Sequence, residues 1–364
     1  MTFRASTTID GSTAMAAEAA QMAVEAGLRY VSCKEPGIRR VRVGKGFYYL
    51  TPENRRLTAP NELKRIGSLA VPPAYKDVWI CVNPRGHLQA TGQDARGRKQ
   101  YRYHPHWRQV RDSAKFDRMI AFGEALPRLR RKLTRDLALT GLPREKVLAA
   151  VVALLDVTRA RIGNAEYARD NKSFGLTTLR NRHVTFVRDG RAVLTFRGKG
   201  GVQHEIAIDD KRIVRIVQHC QELPGQHLFQ YVADDGSRYP VDSGMVNDYL
   251  REVMGDDFTA KDFRTWGATL RALVLLARTP RDPEASETVL KRSIVAVVKQ
   301  VAAELRNTPA VCRKSYINPI VFDGWRSGAI HRAFGESLAG VSRRKAETLV
   351  RDFLRKQASA TRVT

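Results

Sequence analysis

Apolar positions follow two rhythms along this chain. They alternate in short runs up to about residue 103, and from about residue 113 they recur every three to four residues. In the first part, runs such as RRVRVGKGFYYL and KDVWICVN are broken by glycine and by Pro72-Pro73, which predicts a small β-rich domain. Residues 1–27 ahead of it read as a flexible extension with a possible helix over 13–26. In the second part, FDRMIAFGEALPRLRRKLTRDLAL and REKVLAAVVALLDVTRARIGNAEYARD predict helices separated by Gly141-Leu142-Pro143. The second buries Val147, Leu148, Val151, Val152, Leu154 and Leu155 and closes on Gly163 as its C-cap. Further helices are predicted over 243–254 and 262–277, the latter capped by Asp262. One segment interrupts the helical rhythm. In RHVTFVRDGRAVLTFRGKGGVQHEIAI, alternating runs flank Asp189-Gly190 and then Gly198-Lys199-Gly200-Gly201, the pattern of a three-stranded antiparallel meander. The expected class is α+β, a small N-terminal antiparallel sheet followed by a larger, mainly α domain with its own small sheet. The expected boundaries are 1–27, 28–108, 109–325 and a basic helical tail at 326–364, with the linker over 105–112.

The stretch RNTPAVCRKSYINP, residues 306–319, has a distinctive layout. Leu290, Ile294, Val297, Val298, Val301 and Leu305 predict a helix from about Glu287, which Asn307, Thr308 and Pro309 interrupt. Thr308 suits an N-cap and Pro309 the first helical position, while Asn318-Pro319 ends the new helix within about two turns. Tyr316 therefore sits near the end of a very short helix, on an element able to move.

Composition narrows the partner. Sixty-three lysines and arginines face 37 aspartates and glutamates, for a formal charge of +26 and a pI of about 10.4. The cations are spread through the periodic segments, so folded domains carry a basic face that favours a polyanion, above all duplex DNA. Cys33, Cys81, Cys220 and Cys312 show no CxxC spacing, which predicts reduced thiols in a cytosolic protein without a zinc site. No signal-peptide pattern and no membrane-length apolar run is present. In DARGRKQYRYHPHW, Arg96, Arg98, Lys99 and Arg102 interleave with Tyr101, Tyr103 and Trp107. That pattern suits a nucleic-acid backbone and equally an edge strand protected by charge.

Taken in order, the chain offers Arg161 at a helix end, a glycine-flanked Lys199 at a hairpin tip, Lys261 and Arg264 spaced KxxR at a helix start, and Tyr316. Each has an ordinary reading as a solvated charge or a half-buried ring. Together they supply what metal-free phosphodiester transesterification requires: a phenol to attack phosphorus, two guanidinium forks to hold the non-bridging oxygens, and an ammonium to protonate the leaving 5′-oxygen. The set resembles the type IB DNA topoisomerases, most closely their compact poxvirus-like bacterial form, over residues 28–325. The segments that carry the likeness are DARGRKQYRY, TRARIGN, GLTTLRNRHV, FRGKGGVQHE, KDFRTWG and NTPAVCRKSY.

The resemblance implies Tyr316 as nucleophile, Arg161, Arg264 and Asn307 as catalytic donors and Lys199 as general acid. It implies DNA contacts from Arg98, Gln100, Tyr101, Tyr103, Tyr167 and Lys261, and two domains closing as a clamp on duplex DNA. The implied activity is relaxation of supercoils through a 3′-phosphotyrosine by a monomer, without ATP, metal or other cofactor, in the bacterial cytoplasm at the nucleoid. Two positions depart from the poxvirus pattern. Asn307 stands nine residues before the tyrosine, where that pattern has histidine, and an amide donates the same bond without charge. Glu166 stands five residues after Arg161, where that pattern has a base-reading lysine, so pentamer specificity of the viral kind is not expected. Two rivals remain: a site-specific tyrosine recombinase, whose HxxR motif would need histidine at Lys261, and a basic DNA-binding module without catalysis.

Overall fold

A computed structural model describes residues 11–361 except 45, 96, 256–257 and 335–340, so Arg96 and the first ten residues lie outside the described residues. The chain divides into two compact units, residues 1–115 and 116–364. The first contains helix α1 (Gly11–Glu25), strands β1 (Ile38–Val43) and β2 (Gly46–Leu50), helix α2 (Pro60–Ser68) and strands β3 (Lys76–Ile80), β4 (Leu88–Gln93) and β5 (Lys99–Tyr103). The strands form one antiparallel sheet in the order β2-β1-β3-β4-β5. Its inward positions Ile38, Val78, Ile80 and Ala90 bury with Ile66 of α2. Helix α1 corresponds to the helix expected over 13–26, and its Ala23 buries with Leu28 and Trp107, so this part of the extension packs on the domain. The expected linker over 105–112 is also helical, as the first turns of α3 (Pro105–Asp136).

The second unit continues with α4 (Arg144–Thr158), α5 (Ala165–Asn171), β6 (Val184–Phe186), β7 (Ala192–Arg197), β8 (Gln203–Ile208), α6 (Lys211–Glu222), β9 (Gln230–Val232), β10 (Arg238–Pro240) and α7 (Ser243–Met254). It closes with α8 (Ala260–Arg278), α9 (Glu287–Leu305), α10 (Pro309–Ser315), α11 (Ile320–Arg326), α12 (Ala329–Phe334) and α13 (Arg343–Thr361). Strands β6, β7 and β8 make the predicted antiparallel meander. Helix α4 is apolar on nearly every face, and each residue from Val147 to Asp156 is buried, as befits a helix surrounded by the core. Burying each Val or Leu there contributes roughly 1.5–3 kcal/mol. Helix α8 is the second central element, with Phe263, Trp266, Leu270, Leu273 and Leu276 buried.

Several boundaries differ from expectation, each for a local reason. Helix α4 ends at Thr158 and is capped by Arg159 in the left-handed conformation at φ 55°, ahead of Gly163. Helix α8 starts at Ala260 with Thr259 as N-cap, and Asp262 serves as the third residue of a capping box, accepting from the Thr259 N–H at 2.8 Å. The segment read as a basic tail is helical, yet Ala346, Val350, Phe353 and Leu354 of α13 join the core. Arg343 and Glu347 of α13 interlock with Arg130 and Asp156 through ion pairs of 2.5–3.0 Å. Among the described residues no helix is long and apolar enough to cross a membrane.

Candidate active site

Two helices end beside each other, and the side chain of Arg264 holds both ends. Arg264 lies on α8 and is only 3% exposed. One of its nitrogens donates to the carbonyl of Arg159, the cap of α4, and the other to the carbonyl of Leu305, the last residue of α9, at 2.9 Å. A guanidinium between two helix C-termini satisfies carbonyls that lack helical partners and sits where the negative ends of two dipoles converge. Although Arg264 lies in the first turns of its own helix, its side chain reaches the ends of two other elements.

Each of those two ends leads into a site residue. Two residues beyond Arg159 comes half-buried Arg161, whose main chain is fixed by Leu176 N–H to its carbonyl at 2.9 Å and by Thr177 N–H to the Ile162 carbonyl at 2.7 Å. These bonds account for the segment GLTTL beside TRARIGN, and Gly175 is required there: a Cβ on it would lie 2.4 Å from the Gly163 nitrogen. Two residues beyond Leu305 comes Asn307, whose side-chain carbonyl accepts from Arg161 Nη2. Arg161 Nη1 and Asn307 Nδ2 are buried donors without a hydrogen-bond partner among the described residues. Buried donors rarely go unpaired in native proteins, and two beside each other mark a place prepared for an acceptor.

Helix α10 then runs as predicted, with Thr308 accepting from the Val311 N–H and Pro309 first, and Tyr316 as its C-cap. The main chain of Tyr316 is anchored more firmly than a movable element would be. Thr269 of α8 donates its hydroxyl to the Tyr316 carbonyl at 3.1 Å and accepts from the Asn318 N–H at 3.0 Å. The Arg264 guanidinium carbon lies 5.1 Å from the Tyr316 ring centre. Burial alone would raise the phenol's pKa, but Arg264, by charge and hydrogen bonding, and then Arg161 and Lys261 by charge, draw it below the usual tyrosine value. Arg264 itself is pushed down by burial and by repulsion from Arg161.

Lys199 is placed differently. It is exposed in the tight turn between β7 and β8, followed by Gly200 and Gly201 at φ 75° and 81°, conformations that glycine tolerates best. It makes no hydrogen bond to a described residue. Lys261 is exposed in the first turn of α8, and Tyr167 is 41% exposed on α5. In the N-terminal unit, Arg98 pairs with Asp94 at 2.7 Å and Gln100 donates to the same carboxylate at 3.0 Å. Tyr101, 47% exposed on β5, stacks against Tyr103 with ring centres 6.1 Å apart.

Four participants escaped the sequence reading: Arg159, Thr269, His204 and Arg306. His204 had a signal, since the alternation of β8 puts it on the inward face with Ile208. Its buried ring stacks on Phe196 at 4.9 Å, and burial, followed by Arg306, Arg161 and Arg264, lowers its pKa to about 4.

Residues 104–320 match the sequence profile of the catalytic core of eukaryotic DNA topoisomerase I, and residues 46–94 that of the N-terminal domain of bacterial DNA topoisomerase IB. DNA topoisomerase 1B of Acanthamoeba polyphaga mimivirus is 33% identical over 286 residues, covering 77% of this chain and 85% of the viral one. DNA topoisomerase 1B of vaccinia virus strain Copenhagen is 22% identical over 255 residues, or 68% and 75% of the two chains. DNA topoisomerase 1 of Schizosaccharomyces pombe is 23% identical over 183 residues, 49% of this chain and 21% of the yeast one. The site built on the ends of α4 and α9 falls inside the matched core, and with that match spanning more than half its length the chain belongs to the type IB DNA topoisomerases.

Proposed function

We propose that this topoisomerase relaxes duplex DNA by cutting one strand through a 3′-phosphotyrosine at Tyr316, letting the free end swivel, and resealing. The observation that carries the reading is the arrangement of Arg264 over the Tyr316 ring, with Arg161 and Asn307 beside it holding two unsatisfied donors. A scissile phosphate brings two non-bridging oxygens, and charge builds on them as the phenol attacks. Arg161, Arg264 and the Asn307 amide are the donors for that charge, and because protein contacts already fix them, little reorganisation is needed during reaction. The pull of Arg264, Arg161 and Lys261 on the phenol favours the phenolate that attacks. Lys199 protonates the departing 5′-oxygen and takes the proton back on resealing. The ester stores the energy of the broken linkage, so neither ATP nor a metal enters the cycle.

Arg98, Gln100, Tyr101 and Tyr103 on and beside β5, with Tyr167 and Lys261 of the second unit, contact the duplex, which the protein grips as a monomer with residues 28–108 and 109–325 as the two arms of a clamp. The net charge of +26 supports this partner and predicts binding that weakens steeply with salt. In the cell the substrate is nucleoid DNA in the bacterial cytoplasm. The test is relaxation of a supercoiled plasmid without any special site, in EDTA and without nucleotide. Full relaxation by a monomer supports the reading. A requirement for two matched sites and a tetramer would favour a recombinase, and binding without relaxation a non-catalytic module.

A further inference from the structure

Arg306 has no role in the chemistry above, and its backbone is unusual for it. It caps α9 at φ 51°, ψ 54°, in the left-handed region that suits glycine. Its side chain explains its presence. Nη1 donates to the carbonyl of Gln203 and Nη2 to that of Glu205 at 2.8 Å. Those carbonyls lie two residues apart on β8, the edge strand of the meander, where a neighbouring strand would otherwise pair with them. The planar fork takes that place.

Both sides of this contact lead to the site. Between the two carbonyls stands His204, whose ring fills the space over Gly198, so that a Cβ on Gly198 would come within 2.6 Å of it. Gly198 is bonded across the hairpin to the Val202 carbonyl at 2.8 Å and directly precedes Lys199. On the other side, Arg306 lies between Leu305, which accepts from Arg264, and Asn307, which accepts from Arg161. The Arg306 fork therefore ties the hairpin that carries Lys199 to the segment that carries Asn307 and Tyr316.

We propose that Arg306 is a positioning residue for leaving-group protonation: its two bonds to β8 hold the hairpin in register with the Tyr316 segment, so that Lys199 meets the 5′-oxygen. The inference rests on the roles proposed for Tyr316 and Lys199. In the step concerned, the tyrosine oxygen bonds to phosphorus as the bond from phosphorus to the 5′-oxygen breaks. The phenolic proton leaves to solvent, and the 5′-oxygen takes a proton from Lys199 Nζ, which becomes a neutral amine.

The test is single-turnover cleavage by the full chain of two duplexes that differ only at the scissile linkage, one with a 5′-oxygen and one with a 5′-sulfur. The sulfur departs as a thiolate and needs no proton. Arg306→Gly removes the fork and suits the backbone, while Arg306→Lys keeps the charge and loses the paired geometry. Arg306→Gly is expected to cleave the oxygen substrate about 10- to 100-fold more slowly and the sulfur substrate within about threefold of the parent, with Arg306→Lys between. Lys199→Ala is the control, expected to show the same selectivity with a larger loss. If Lys199→Ala is selective and Arg306→Gly slows both substrates equally, or neither, Arg306 does not position the acid. If Lys199→Ala is itself unselective, the assignment of Lys199 fails and the role of Arg306 fails with it. Should Arg306→Gly not fold, Arg306→Lys is judged by the same oxygen-to-sulfur ratio.

Discussion

Arg264 and Lys199 are both cations proposed to meet the same phosphate, yet the fold treats them in opposite ways. Arg264 is 3% exposed, bonded to two helix ends and stacked near the tyrosine ring, with its charge under pressure from burial and from Arg161. Lys199 stands in solvent on a turn with two left-handed glycines, and the hairpin below it is tied to the site through the bonds of Arg306 to β8 and through the Phe174 N–H on the Arg197 carbonyl of β7. The difference follows the work proposed for each. A donor that stabilises charge gains from being fixed beforehand. A proton donor must stay protonated and reach a leaving group, which favours an exposed ammonium on an adjustable loop.

This contrast can be broken at its centre or at its edges. Tyr316→Phe should show the largest effect, leaving no measurable relaxation while DNA affinity in a gel-shift assay stays near the parent value. Arg264→Ala should lower the cleavage rate by about 10²–10³ and also destabilise the fold, by roughly 1–3 kcal/mol for each carbonyl left without a partner, read from urea unfolding. Lys199→Ala should slow cleavage about 10²-fold with stability unchanged within about 0.5 kcal/mol. If the two variants lost activity and stability in the same proportion, the contrast would be void. Asn307→Ala should cost about tenfold in cleavage, less than loss of either arginine, because a neutral donor contributes less than a charged one.

The smallest effect concerns His204, held near pKa 4 by burial and by Arg306, Arg161 and Arg264. Between pH 4 and 6.5 the unfolded chain binds a proton that the folded chain refuses, so stability is full above about pH 6.5 and falls as pH drops toward 4. The loss from this one group should be on the order of 2 kcal/mol, and His204→Phe should flatten that part of the urea-unfolding profile.

Much of the site could be read from sequence because its signals are local. Thr308, Pro309 and Asn318-Pro319 delimit α10 around Tyr316, and Asp189-Gly190 fixes the first turn of the meander. What escaped depends on distant partners. Arg159 and Arg306 occupy left-handed caps that propensity assigns to glycine, and the second is retained by bonds to a strand about a hundred residues earlier. Gly163 drew the helix-end prediction because it is a glycine, yet it lies beyond the cap, at φ 108° and packed against Gly175, and the helix ends earlier at Arg159. Asp262 looked like an N-cap because capping boxes put an acceptor at either end of a four-residue span. The basic residues of α13 hid its buried stripe, and the linker expected over 105–112 was helix because Pro105 suits a first turn.

The central claim is that DNA becomes bonded to the oxygen of Tyr316. Trapping the protein on a nicked duplex, digesting it and sequencing the peptide that retains a nucleotide tests this directly. The account predicts one adduct, a 3′-phosphate ester on Tyr316, lost in Tyr316→Phe. An adduct on another residue, a 5′-linkage, or relaxation with no adduct at all would contradict it.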